Sequence, residues 1–279
     1  MITSVRKMLA QHDIHPRKRL GQCFLEDLNV VRRIVALAEP AGNETIVEIG
    51  AGLGFLTEEL AKRAGRVIAI EVDPLLVTVL RERFTGEDRV EVVQMDVLKY
   101  DFTSAHPGER IKVVGNIPYN ISTPILFRLL DFRQSISTMI LMFQKELADR
   151  IAASPGTKDY GITSDIVAKY TRAVCEMTVP PTCFYPVPEV ISSVLRMEVL
   201  REPELLDGGL FAKIVRASFA QRRKTLWNNL RRIGLSEEMV DQVFIRSGID
   251  RARRAETLSV DEFSWLTKAW IGMSADRIL

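Results

Sequence analysis

Three cysteines and three histidines are all that this 279-residue chain offers of the two residue types that most often hold metals. Cys23, Cys175 and Cys183 are odd in number and form no C-x-x-C pair, so neither a disulfide framework nor a zinc site is expected and a reducing cytoplasm suits the chain. His12, His15 and His106 lie without ligand spacing and are expected in exposed loops; no metal is predicted. No apolar run approaches the ~18 residues of a membrane span, so no membrane partner is expected. The basic N-terminal stretch lacks the apolar centre of a secretory signal. Internal repeats and low-complexity tracts are also missing. What is left is the composition of a soluble enzyme, 47% hydrophobic and 27% charged, long enough for one large α/β domain and a small appendage.

The net charge of +2 hides strong patterning. Residues 216–232 hold Arg216, Arg222, Arg223, Lys224, Arg231 and Arg232 and no acid. Arg246, Arg251, Arg253 and Arg254 follow, and Arg6-Lys7 and Arg17-Lys18-Arg19 lie near the N-terminus. A single basic run is usually a solvated face; several together favour a polyanion, because each phosphate contact adds affinity.

Strand and helix signals alternate from about residue 45 to 145. Thr45–Ile49, Val67–Ile70, Val90–Val93, Val113-Val114 and Met139–Met142 read as strands, with helices over Leu53–Arg63 and Pro74–Phe84. That order implies a parallel, doubly wound sheet with its ligand at the carboxyl ends of the strands. Phe184-Tyr-Pro-Val-Pro188 is expected to be a loop. From about residue 203 only helical periods remain, over Leu210–Leu230, Glu237–Ser247 and Val260–Ile271. The expected organisation is therefore residues 1–201 as the α/β domain and 202–279 as a small all-α domain.

Two motifs carry chemistry. Val47-Glu-Ile-Gly50-Ala-Gly52-Leu-Gly54 sits at the first strand-to-helix turn, where glycines let backbone approach a ligand. Phe55 at the third glycine position of a dinucleotide fingerprint argues against that cofactor. The pattern resembles instead the S-adenosylmethionine site of class I, Rossmann-like methyltransferases. Glu71 at the end of the next strand could accept the ribose hydroxyls, and Asp96 after the following strand an adenine amine; alternatively both simply cap helices. The second motif, Asn116-Ile117-Pro118-Tyr119, resembles the tetrapeptide of enzymes that methylate exocyclic amines of nucleobases. An Asn oxygen and a fixed Ile117 carbonyl can accept the N–H bonds of an adenine amine and raise its nucleophilicity, Pro118 stiffens the loop, and Tyr119 offers a stacking face.

Four ordered segments extend the likeness from about residue 16 to 270: Arg19-Leu-Gly-Gln22-Cys-Phe-Leu25, Gly115–Pro124, Phe184–Ser192 and Phe219-Ala-Gln-Arg-Arg-Lys-Thr-Leu226. Together they resemble the bacterial small-subunit (16S) ribosomal RNA adenine dimethyltransferases. The resemblance implies S-adenosylmethionine as cofactor, held by Gln22, Cys23, Leu25, Gly50, Gly52, Glu71, Asp96 and Asn116. It implies Asn116, Ile117, Pro118, Tyr119 and Phe184 at the reacting adenine, with Tyr119 and Phe184 sandwiching the ring. Arg222, Arg223 and Lys224 would hold rRNA phosphates from a helix of the C-terminal RNA-binding domain. The substrate would be two adjacent adenines of the 3′-terminal hairpin of 16S rRNA in an immature small subunit, each dimethylated by a cytoplasmic monomer. Cys23 departs from the pattern, since most members of the family it resembles carry Asn there; with the other positions matched, cofactor binding is expected to survive. The neighbouring readings are a macrolide-resistance enzyme acting on large-subunit rRNA, and a non-catalytic RNA-binding assembly factor of the same fold.

Overall fold

The computed structural model describes residues 4–201, 207–233 and 236–275. Nine strands are described: β1 (Phe24–Leu25), β2 (Thr45–Ile49), β3 (Arg66–Glu71), β4 (Val90–Gln94), β5 (Ile111–Asn116), β6 (Ile136–Gln144), β7 (Thr171–Val179), β8 (Phe184–Tyr185) and β9 (Ser192–Val199). Seven of them form one sheet in the order β4-β3-β2-β5-β6-β9-β7. The pairs from β4 through β6 are parallel, and β9 joins β6 antiparallel.

The chain winds outward from β2 through β3 to β4, then returns to lay β5 and β6 on the other side of β2. That reversal opens a crevice beyond the carboxyl ends of β2 and β5, where open α/β sheets bind their ligands. Register brings the site residues level: Ile49 is opposite both Ile70 and Gly115, Glu71 opposite Gln94, and Asn116 opposite Met142.

The helices of the first half are α1 (Val5–Gln11), α2 (Leu28–Ala38), α3 (Phe55–Ala61), α4 (Pro74–Arg83), α5 (Ser122–Asp131), α6 (Lys145–Ile151) and α7 (Ile162–Tyr170). Helix α2 buries Val31, Ile34, Val35 and Ala38, the i, i+3, i+4, i+7 stripe, in a core that includes Ile46, Val114, Ile140 and Val194. Helix α4 begins as its sequence suggests, with Pro74 at N1 and the Asp73 carboxylate accepting from the N–H of Leu75. The later helices are α8 (Gly208–Ser218), α9 (Leu226–Leu230), α10 (Glu237–Ser247) and α11 (Val260–Ala275).

The chain divides into two compact units, Met1–Ala148 with Arg172–Val199, and Asp149–Thr171 with Leu200–Leu279. The helical unit is thus made of two stretches of sequence, and the first, Asp149–Thr171, falls within the span expected for the α/β domain. Residues 202–206, at the expected junction, lie outside the described residues.

Three local expectations need correction. The segment Phe184–Pro188 is not wholly loop: Phe184 and Tyr185 pair antiparallel with Leu25 and Phe24 before a cis Tyr185–Pro186 peptide. The helical period over Leu210–Leu230 is two helices, since α8 stops at Ser218 and Thr225 caps α9, leaving residues 219–224 as a turn. His106 is only half-exposed, its Nδ1 3.0 Å from the Thr45 hydroxyl.

Candidate active site

A cleft opens beyond the carboxyl ends of the strands, where open α/β sheets hold their ligands. It is lined by Gln22, Cys23, Leu25, Gly50, Gly52, Glu71, Asp96, Asn116, Ile117, Pro118 and Tyr119, so one cavity gathers nearly every residue proposed for cofactor and base. Phe184 is the exception. It is 2% exposed, packed in the core under α2, and does not line the cleft.

The glycine turn is shaped by its neighbours. Gly52 has φ +59° and donates its N–H to Glu71 Oε2 at 2.9 Å. Gly54, at φ +80°, has no room for a side chain, since a Cβ there would lie 2.7 Å from the Phe84 ring. Both positions demand glycine, and Gly52, with Gly50, brings bare backbone to the wall of the cleft. Glu71 Oε1 also accepts the N–H groups of Val72 (2.8 Å) and Asp73 (2.9 Å). Burial pushes the Glu71 carboxyl up from its ordinary value, and the donors at Asp73, Gly52 and Val72 oppose that shift. With two bonds on Oε1 and one on Oε2, Oε2 keeps the greater capacity for a further donor. Asp96 does cap the short helical turn after β4, Oδ1 accepting from Leu98 N at 3.0 Å, yet it also lines the cleft, so capping and ligand contact are compatible here.

On the other wall, Asn116 is half-buried at the end of β5. Its Nδ2 donates to the Cys23 carbonyl at 2.8 Å, which commits the nitrogen and leaves Oδ1 as the acceptor that the side chain can offer. The N–H of Ile117 bonds Met142 O at 3.1 Å, and the Pro118 carbonyl accepts from Ile121 N and the Ser122 hydroxyl, so the loop is pinned on both sides of its proline. Tyr119 anchors its hydroxyl on Ser192 Oγ at 2.6 Å, and burial raises its pKa. Gln22 spends its side chain on the protein: Oε1 accepts Arg17 N (2.7 Å) and Nε2 donates to Asp73 Oδ2 (2.9 Å). The Cys23 thiol is half-buried and burial raises its pKa, leaving the residue's backbone carbonyl as the group engaged with Asn116.

Glu48 opens the glycine motif in the sequence without being given a role there, yet it also lines the cleft. It is 2% exposed, its Oε2 accepts the Thr57 hydroxyl at 2.5 Å, and burial raises its carboxyl to about 8, with Glu71 adding to the shift. An acid in the interior of an otherwise apolar strand was the available signal. Arg222, Arg223 and Lys224 are exposed on the turn between α8 and α9, within the helical unit, and Arg222 reaches the Lys158 carbonyl at 3.1 Å. No cluster able to hold a metal occurs among the described residues, and no described helix is long and apolar enough to cross a membrane.

Residues 14–270 match the family described as ribosomal RNA adenine dimethylase. A curated relative from Syntrophus aciditrophicus (strain SB), named ribosomal RNA small subunit methyltransferase A, is 48% identical over 273 residues, covering 95% of this chain and 98% of its own. Among solved structures, a dimethyladenosine transferase from Plasmodium falciparum superposes with TM-score 0.79 at 24% identity, covering 90% of this chain and 98% of that one. The 23S rRNA methyltransferase ErmE gives TM-score 0.70 at 27% identity, covering 89% and 99%. With a class I methyltransferase sheet, a glycine turn backed by Glu71, and an Asn-Ile-Pro-Tyr loop across the same cleft, the chain belongs to the ribosomal RNA adenine dimethylase family.

Proposed function

We propose that this enzyme dimethylates the exocyclic amines of two adjacent adenines in the 3′-terminal hairpin of 16S rRNA, within an immature small ribosomal subunit, using S-adenosylmethionine. The small-subunit assignment follows the relatives named for that subunit, such as the one 48% identical over 95% of the chain. The observation that supports the chemistry is that Asn116 lines the same cleft as Glu71 and Asp96, with its Nδ2 bonded to Cys23 O so that Oδ1 is the acceptor it can offer.

The cleft fits the cofactor: the glycine turn admits close approach, and Glu71 and Asp96 are acceptors suited to ribose hydroxyls and an adenine amine. Gln22, Cys23 and Leu25 would close its other side. When bound, S-adenosylmethionine supplies an already electrophilic methyl group, so the protein's task is alignment. Asn116 Oδ1 and the Ile117 carbonyl would accept the two N–H bonds of the target amine, drawing its lone pair out of the ring. The Tyr119 ring, held through its hydroxyl, would stack on the extruded base. Among the described residues no His or Lys lines the cleft. The amine, cationic once methylated, would therefore lose its proton to water. Arg222, Arg223 and Lys224 would grip rRNA phosphates, and the chain would act as a cytoplasmic monomer.

The test is transfer of labelled methyl groups to purified small-subunit particles, large-subunit particles and protein-free rRNA. Two dimethyladenosines in 16S rRNA from small-subunit particles are expected. Preferential labelling of large subunits would favour the ErmE-like alternative, and labelling of neither would support a non-catalytic assembly role.

A further inference from the structure

Residues 17–23 form a strap along the cleft, tied on one side to the cofactor wall and on the other to the catalytic loop. The first tie is the Asp73 carboxylate, whose residue is 1% exposed. Its Oδ1 accepts from Arg17 Nη1 at 3.0 Å and Leu75 N at 3.1 Å, while Oδ2 accepts from Gln22 Nε2 at 2.9 Å. Gln22 Oε1 turns back to the N–H of Arg17 at 2.7 Å and so closes the strap on itself. The second tie is on the opposite wall. Cys23 O accepts Asn116 Nδ2 at 2.8 Å and Arg19 O accepts Asn120 Nδ2 at 3.2 Å. Gly21, at φ +65°, fits against that loop where a Cβ would lie 2.9 Å from the Asn120 side chain.

These ties make a chain with one donor and one acceptor at every link. Glu71 accepts the N–H of Asp73, Asp73 holds Gln22, and the carbonyl of the next residue, Cys23, sets the Asn116 amide. An amide can present either nitrogen or oxygen to a ligand, and only an outside partner decides which. Here Cys23 O is that partner, and its position depends on where Gln22 is clamped.

We infer that Asp73 is a positioning residue for methyl transfer, acting through Gln22 and the Cys23 carbonyl to aim Asn116 Oδ1 at the substrate amine. The inference deepens the proposed function and rests on the role given there to Asn116. Asp73 touches neither cofactor nor base in this scheme; its part is to make the direction of the acceptor independent of thermal rocking of the strap. Misdirection of about 1 Å at such a group can cost on the order of a hundredfold in rate.

A donor–acceptor swap tests it. Asp73→Asn turns one side-chain acceptor into a donor facing Gln22 Nε2, and Gln22→Glu places two carboxylates together; each single variant should lose the clamp. In the double variant the amide at position 73 can donate to the carboxylate at position 22, whose other oxygen still receives the N–H of Arg17. We expect Asp73→Asn to lower kcat about tenfold or more with cofactor affinity near wild type, and the double variant to recover most of that loss. In the 15N-labelled full chain, the Asn116 side-chain amide, assigned by its loss in Asn116→Asp, should shift in Asp73→Asn and return in the double variant. A folded Asp73→Asn protein with wild-type kcat and an unmoved Asn116 resonance would overturn the inference. So would a double variant that regains melting temperature but not kcat, the mark of a helix cap alone. If the wild-type chain methylates no rRNA particle, the proposed function fails instead, and the amide resonance still decides whether Asp73 sets Asn116.

Discussion

Burial raises the carboxyls of both acids that the cleft buries, and they differ in the donors they have found. Glu71 has three backbone N–H donors, whereas Glu48 has the Thr57 hydroxyl and a carboxyl raised to about 8. For Glu71, replacement by Ala should weaken cofactor binding by ~1.5–3 kcal/mol, the usual worth of a hydrogen bond to a charged group. Calorimetry on a folded variant with unchanged affinity would dismiss the assignment. For Glu48 the sign follows from the raised folded value against an ordinary 4.5. Below the ordinary value both states are protonated and burial carries no charge penalty. As pH rises toward 8 the unfolded chain ionises while the folded site holds its proton, so stability falls across that window and levels off above it. Glu48→Gln removes the titration, so the melting temperature of the wild type relative to the variant should decline from pH 5 to 8. A difference that stays flat with pH would mean Glu48 is charged in the fold. At this scale the sequence was most informative where residues end strands: Glu71, Asp96 and Asn116 follow runs whose register then aligns them. It was least informative where partners are remote, as with Gln22 and Asp73, 51 residues apart. It also conveyed the aromatic type of Phe184 and nothing of its burial.

Elements repeat the pattern. The strands β2, β3, β5 and β6 announce themselves by apolar runs because a parallel sheet is covered on both faces. Strands β7 and β9 went unread; β7 mixes Arg172, Cys175 and Glu176 into its exposed and half-exposed positions, as the last strand of the sheet can. The helical period across Leu210–Leu230 misled for a different reason. Phe219 and Leu226 are both buried and keep the apolar spacing, yet the backbone turns between them, and the punctuation is a single threonine. Thr225 Oγ1 accepts the N–H of Asn228 at 3.3 Å and its Nδ2 at 2.9 Å, which starts the five-residue α9 anew. Thr225→Ala should cost about 0.5–2 kcal/mol of stability, and Thr225→Ser much less, because the serine hydroxyl can cap in the same way. Urea unfolding would show this as a lower midpoint at unchanged slope; equal midpoints for wild type and the Ala variant would remove the cap from the account.

At the scale of the whole molecule, a net charge of +2 is too small to draw a polyanion by itself, so the distribution of free charge decides. The sequence shows basic clusters but not which cations are already spent. Arg251 is paired with Asp241 at 2.7 Å, Arg253 with Glu262, and Arg231 with Glu237 at 3.2 Å. Arg222, Arg223 and Lys224 are exposed and make no ion pair among the described residues; Arg222 spends one nitrogen on the Lys158 carbonyl. Their placement on a turn, where a helix was expected, leaves all three in solvent without a helix having to distribute them around its axis. If they hold rRNA phosphates, each contact releases about 0.7–0.9 of a counterion, so neutralising all three to Gln should flatten the log–log salt dependence of particle binding by about 2–3. Cofactor affinity should not move. Neutralising Arg251 and Arg253 is the matched control: it breaks ion pairs within the helical unit, and it should lower stability while leaving the slope in place. Filter binding to small-subunit particles over a salt series measures both. A slope unchanged in the triple variant, or one flattened equally by the control, would leave residues 222–224 as solvated surface and return the search for the rRNA contact to the remaining basic clusters.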